Sequence, residues 1–439
     1  MQVDVFARLG EHDGGARLRS IPGLSIGTGF CIRHRGQLSD VKPRTVGLFC
    51  GVKVMNLKNF WMVILALMIL DFVPFDRNPG LRICIAQDSD TSEIDMNKAR
   101  ILLRRMRQGE SLNAEERAYL DRARAARNNR NQGGEAQVEI LHGDSIGFKP
   151  LIEMTDDDSY LGQEGGLYGE GRNEPPADHH NAALDEIARI EQLDGNGRPD
   201  EKGKVVFISI SMSNATQEFS RFKQLADADT RKSPDVTIVD CAQGGQAMRE
   251  WANPDARPWN EADRRLRAAG VSPAQVQVAW IKLANKVPTG TLQQHGEQLQ
   301  RDATAVIQNA KRRYPNLRVV YLSSRIYAGY ATANLNPEPY AYESAFAVRW
   351  LIRDQIAGTE VLNYDARRGA VVAPLLLWGP YLWADGMTAR KSDGLRYERR
   401  DLANDGTHPS PSGREKVARL ILDFFTSDPL SRSWFQKKD

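Results

Sequence analysis

Four short apolar runs rich in β-branched residues recur between residues 204 and 324: KVVFISIS, DVTIVDCA, VQVAWIKLA and LRVVYLSS. Polar-apolar segments with helical spacing separate them, among them FSRFKQLADA and TLQQHGEQLQRDATAVIQNAKRRY. Short buried runs read as strands, and strands alternating with amphipathic helices predict a mainly parallel sheet covered on both faces. The expected architecture is therefore α/β, a three-layer α/β/α sandwich over residues 203–430. In such sheets ligands bind beyond the carboxyl ends of the strands, so chemistry is sought in the residues just after each run.

Upstream of the sheet the pattern differs. Residues 136–202 are dense in Gly, Pro and Asp with few periodic apolar positions, and are expected to form an irregular lead-in wrapping the core. Residues 87–135 hold a helical hairpin and linker. Leu102, Leu103 and Met106 recur at helical spacing and Gly109 breaks the pattern. Either Ser111 with Glu115 or Asn113 with Glu116 then supplies N-cap chemistry for a second helix. The polar NNRNQGGEAQ that follows is a linker.

The run FWMVILALMIL at residues 60–70 is too short to span a bilayer, which takes about twenty apolar residues. Its length suits the apolar region of a signal peptide over residues 55–86. Met55 and Lys58 precede it, and Cys84 and Ala86 supply small residues before Gln87. Residues 1–54 show no sustained periodicity and read as an over-extended or disordered N-terminus. The expectation is an exported protein, periplasmic or extracellular, with no stable membrane span after processing.

Charge changes little in this picture. The net charge is +3, and the Arg and Lys residues crowded into 98–130 are interspersed with Glu110, Glu115, Glu116 and Asp121. Mixed signs mark a solvated surface and argue against a nucleic-acid partner. Of four cysteines, three lie before residue 87, so processing would leave Cys241 alone and exclude an internal disulfide. No Cys/His spacing fits a zinc site, and no cofactor is expected.

The strand ends carry the candidate chemistry. The first run ends in Ser211-Met212-Ser213-Asn214 and passes into a helical segment. A serine at such a turn presents its hydroxyl and backbone N–H at the sheet edge, although Ser is also a favoured N-cap. The second run ends in Asp240-Cys241-Ala242-Gln243-Gly244-Gly245, where glycines free the backbone for close approach or simply make a tight turn. Asn285, after the third run, can aim its amide at an oxyanion or cap the next segment. Late in the chain comes Asn404-Asp405-Gly406-Thr407-His408-Pro409, followed by the helix-like REKVARLILDFF. An Asp three residues before a His can bind one imidazole nitrogen and leave the other free to take a serine proton.

A Ser, a Gly, an Asn and a His at these strand ends, in that chain order, resemble the four blocks of the SGNH (GDSL-like) hydrolases over roughly residues 203–426. The resemblance implies a serine ester hydrolase. Ser213 would be its nucleophile, Asp405 and His408 its acid and base, and Gly245 and Asn285 its oxyanion donors with the Ser213 N–H. The substrate would be a small-molecule or polysaccharide ester. The first block has Ser211-Met212-Ser213 in place of Gly-Asp-Ser, and Lys286 follows Asn285 where an Asp is common. A catalytically silent glycan- or peptide-binding protein on the same fold is the alternative.

Several rival signals are set against this. A literal Gly143-Asp144-Ser145-Ile146 offers Ser145 as nucleophile but lacks the strand context. Gly165–Gly171 (GGLYGEG) lacks a preceding strand and a Lys-Ser/Thr, and Leu193–Asp200 (LDGNGRPD) lacks the terminal Glu of a calcium loop. Asp178, His179 and His180 have no evident third metal ligand. Trp378, Tyr381, Trp383, Tyr327 and Tyr330 form either a sugar-stacking wall, favouring a polysaccharide deacetylase, or ordinary core aromatics.

Overall fold

The computed structural model describes residues 96–107, 112–130 and 138–437. The proposed signal peptide at 55–86, the segment before it, Gly109, Ser111 and most of the linker lie outside the described residues. Among those described, no helix is long and apolar enough to cross a membrane.

Two helices open the described chain, α1 (Met96–Arg107) and α2 (Ala114–Arg130). Of the two capping alternatives, Asn113 with Glu116 is the one used: the Glu116 N–H donates to Asn113 Oδ1 and the Asn113 N–H to Glu116 Oε2, both at 2.9 Å. Ala99, Leu102, Leu112, Leu120 and Ala123 form a small core of their own. Met106, expected on the apolar stripe, is exposed.

The lead-in holds more structure than its composition suggests. A two-stranded ribbon, β1 (Ser159–Tyr160) and β2 (Gln163–Glu164), is followed by α3 (Ala177–Ile187). His179, Ala183 and Ile187 recur every four residues on the buried face of α3. One of the three is a histidine, which hides the stripe in a hydropathy pattern. Leu151 and Met154 join the main core as well.

The main sheet has five parallel strands in the order β4-β3-β5-β6-β7. They are β3 (Val205–Ile210), β4 (Val236–Asp240), β5 (Val276–Lys282), β6 (Val319–Ser323) and β7 (Leu375–Trp378). The first four are the runs read from the sequence. β7 is an addition, only four residues long. Every residue of β3, β5, β6 and β7 is buried, as expected where helices cover both faces.

The connections are α4 (Ser213–Ala228), α5 (Met248–Trp251), α6 (Arg257–Ala268), α7 (Leu292–Arg313) and α8 (Tyr340–Ile356). The chain then ends in α9 (Pro411–Ser427) and α10 (Arg432–Phe435). The chain steps outward from β3 to β4 and then reverses across β3 to β5. With right-handed crossovers, that reversal places α4 and the later connecting helices on opposite faces. On the α4 face Phe207 packs against Phe219, Phe222 and Phe425, with ring centroids 4.8–6.0 Å apart. The core continues past residue 430 through Trp434 and Phe435.

Register fixes the site. Ile210 pairs with Ile281 and Lys282 with Ser323, so the residues after β3, β5 and β6 emerge at one edge. The reversal point between β3 and β5 opens there.

Candidate active site

Ser213 is the first residue of α4, three positions beyond the end of β3. As the first helical residue its N–H has no intrahelical acceptor and points out of the helix start. Its hydroxyl lies 2.7 Å from His408 Nε2. On the other side of the imidazole, Nδ1 lies 2.5 Å from Asp405 Oδ2. A carboxylate can only accept, so Nδ1 carries the proton, Nε2 is the acceptor and the Ser213 hydroxyl donates to it. Ser213, His408 and Asp405 are thus brought into one hydrogen-bonded line, although 195 residues separate the serine from the histidine.

Asp405 is held by more than the imidazole. Its Oδ1 accepts the backbone N–H groups of Thr407 and His408 at 3.0 Å each. Burial alone would push its pKa up, but the imidazole and the two N–H groups outweigh that and keep it below the usual aspartate value.

The loop itself is pinned at both ends. The Ala403 N–H donates to the His408 carbonyl, and the Thr332 N–H to the Asp405 carbonyl. Between them Gly406 adopts φ +64°, and a Cβ there would lie 1.7 Å from the Tyr330 carbonyl oxygen. Only glycine fits. Behind the loop, the Ser410 hydroxyl and Pro411 start α9, which fixes where the loop ends. The Asn214 amide donates to the Thr407 carbonyl at 2.8 Å, tying the start of α4 to the histidine loop.

A cavity of about 260 Å³ adjoins Ser213 and His408, and Gly245 and Asn285 both line it. Gly245 has φ +73° and nothing within 4 Å of where a Cβ would sit, so its turn faces open space. Its carbonyl accepts from the Lys286 ammonium at 3.2 Å, and the same ammonium reaches Glu250 at 2.8 Å. Lys286 therefore secures the Gly245 turn. The Asn285 side chain accepts from the Arg249 N–H at 3.0 Å and donates to Asp302 at 2.7 Å. An amide nitrogen carries two hydrogens, so one N–H of Asn285 remains for the cavity.

Met212, Ala247 and Ala284 pack as a small buried cluster on the cavity wall. Beneath it, the Glu218 carboxylate of α4 receives the Lys282 ammonium at 2.5 and 2.7 Å, with neither side chain exposed. Burial pushes Glu218 up and Lys282 down, and the attraction between them opposes both shifts. Neither residue carries a motif, so the pair leaves no mark in the sequence.

The rival signals resolve into structure. The Ser145 hydroxyl donates to Asp385, which also accepts the N–H groups of Ile146 and Gly147. Its partner is thus a carboxylate, and the segment is a clip. His179 Nε2 donates to the Leu376 carbonyl at 2.8 Å, and burial holds its pKa below the usual histidine value. Asp194 closes the LDGNG turn by accepting the Asn196 and Arg198 N–H groups. The sugar-stacking wall is corrected: Trp378, Tyr381, Trp383 and Tyr327 are buried, and none of the five aromatics lines the cavity. Their polar tips are spent inside, as where Trp383 Nε1 donates to Glu338 and Tyr327 Oη to the Gly143 carbonyl.

No protein-family model matches the chain, and no curated protein does. Among solved structures, a candidate acylhydrolase from Bacteroides fragilis is similar at 13% identity and a TM-score of 0.30, covering 56% of this chain and 96% of that one. The periplasmic domain of a lipopolysaccharide acetyltransferase from Salmonella ser. Paratyphi A gives 14% identity and a TM-score of 0.27, covering 56% and 95%. A GDSL-like lipase from Bacteroides thetaiotaomicron gives 12% and 0.25, covering 56% and 95%. With likenesses this distant, the α/β/α assignment rests on the chain's own sheet order and register.

Proposed function

We propose that the chain is a serine ester hydrolase working by acyl transfer. One observation carries the reading: the Ser213 hydroxyl, the His408 imidazole and the Asp405 carboxylate stand in line at 2.7 and 2.5 Å beside an open cavity. Ser213 Oγ bonds to the ester carbonyl carbon as its proton passes to His408 Nε2. Asp405 holds the Nδ1–H and balances the imidazolium that forms. The carbonyl oxygen becomes an oxyanion, met by the Ser213 and Gly245 N–H groups and the spare Asn285 N–H. Collapse breaks the ester C–O bond and the leaving alcohol takes the proton from His408. Water, deprotonated by the same nitrogen, then releases the acid from Ser213.

The substrate is a small-molecule or polysaccharide ester. With the aromatic residues in the core, a sugar ester draws no support from stacking surfaces. Export by the segment 55–86 belongs to the same proposal and rests on the apolar run at 60–70.

Labelling with a fluorophosphonate followed by peptide mapping tests the assignment. The adduct is expected on Ser213 and absent from Ser213→Ala. An adduct on Ser145 overturns the assignment, and none at all favours the silent binding protein.

A further inference from the structure

The cavity beside Ser213 is lined by a cation with no carboxylate partner among the described residues. Arg325 follows β6 at the same sheet edge as Asn285, lines the cavity and is 2% exposed. Its backbone N–H donates to Ser344, but its Nε and Nη2 are buried without a hydrogen-bond partner among the described residues. A buried guanidinium left open is costly, and structures usually spend its donors.

The nearby carboxylates are all committed elsewhere. Glu218 takes the Lys282 ammonium on both oxygens. Glu338 accepts Trp383 Nε1 and the Ala328 and Tyr342 N–H groups, and Asp405 accepts His408. Each attracts Arg325 at a distance, and none closes its fork.

The two unpartnered atoms form a pair with a use elsewhere in this chain. Nε and Nη2 make one edge of the guanidinium, and Arg264 grips both oxygens of Glu261 through that edge at 2.7 Å each. Arg231 holds Asp229 the same way, at 3.0 and 2.6 Å to its two oxygens. The lining includes Lys286 and no Asp or Glu. A cavity with no acid in its lining and a buried guanidinium that has no carboxylate partner favours an anion of carboxylate shape.

We infer that the ester cleaved at Ser213 carries a carboxylate, which docks on the guanidinium of Arg325 and sets the enzyme's specificity. The inference rests on the hydrolase reading of Ser213. Two sources of carboxylate are possible, the acyl part or the alcohol part.

Matched esters separate them. An aryl hemisuccinate is compared with its methyl succinate counterpart, and O-acetyl lactate with its methyl ester. In the wild-type enzyme one charged ester is expected to exceed its neutral counterpart by about tenfold to a hundredfold in kcat/KM, chiefly through KM. Arg325→Met should bring that ratio near unity and Arg325→Lys should keep part of it. Independently of turnover, calorimetry with succinate and lactate on Ser213→Ala should show saturable binding of at least one, lost in the double variant with Arg325→Met. Neutral esters cleaved as well as charged ones by the wild-type enzyme would overturn the inference while leaving the hydrolase standing. Carboxylate binding to Ser213→Ala without cleavage of any ester by the wild type would do the reverse.

Discussion

The carboxylate of Glu218 and the ammonium of Lys282 meet at 2.5 Å with both side chains fully buried, which joins the helix that begins at Ser213 to the strand that leads to Asn285. Breaking one side leaves an uncompensated charge inside the protein. Lys282→Met is expected to cost about 3–5 kcal/mol, whereas Lys282→Met with Glu218→Leu should recover most of it. Denaturant melts of the three proteins check this. Recovery of stability without recovery of turnover would assign the pair to positioning of the serine.

Asp405 orients the imidazole through a single oxygen while its other oxygen holds the loop. Asp405→Asn presents an amide to Nδ1 and permits the wrong tautomer, so kcat should fall by about 10⁴ with KM little changed. Initial rates on an activated ester measure the split. A loss confined to KM would contradict the orienting role.

For Asn285 two effects are expected together. Asn285→Ala removes an oxyanion donor, lowering turnover by about a hundredfold or more. It also takes the acceptor from the Arg249 N–H at the start of α5, costing about 1 kcal/mol. Turnover and melts on the same preparation separate the two, and unchanged turnover would remove Asn285 from the site.

Glu338 supplies a pH signature. Burial, the largest influence, raises its pKa from 4.5 to about 7, against the pull of its hydrogen-bond donors and Arg325. The folded state therefore keeps the proton that the unfolded chain loses, and this contribution is fullest below about pH 4.5. It declines as pH rises and is gone above about 7, a change of about 3 kcal/mol across the window. Comparing the pH dependence of stability in the wild type and Glu338→Gln isolates it: the wild type should lose more between pH 5 and 8. Parallel curves would contradict the raised pKa.

Gly406 gives a steric test. Gly406→Ala places a methyl against the Tyr330 carbonyl and asks an L-residue to keep φ +64°. The loop must then shift, carrying Asp405 and His408 with it. Fluorophosphonate labelling of Ser213 should slow by about tenfold or more for a displacement on the order of 1 Å. Labelling at the wild-type rate would show that the loop yields without moving the imidazole.

Much of this site is legible in the sequence because its signals are local. A buried run ending in a serine before an amphipathic helix places Ser213, and three residues of spacing let Asp405 and His408 share one loop. What stayed hidden depends on distant partners. Arg325 is an ordinary arginine until the committed carboxylates around it are seen. Lys282 breaks an apolar run and gives no hint of Glu218, 64 residues away. β7 is a four-residue run of Leu and Trp, too short to separate from a buried turn by pattern alone. The sequence around Asn285 fits an oxyanion donor or a cap, but the service of its side chain to Arg249 and Asp302 depends on partners 36 and 17 residues away.

Because β3 lies inside the sheet with β4 and β5 on either side, the serine is delivered from the middle and its companions arrive from separate, later stretches of chain. The Ser213–His408–Asp405 line cannot form until the loop that precedes α9 has docked. Hydrolytic turnover would therefore serve as an assay for completed folding, silent for any chain released or truncated before residue 408 is in place.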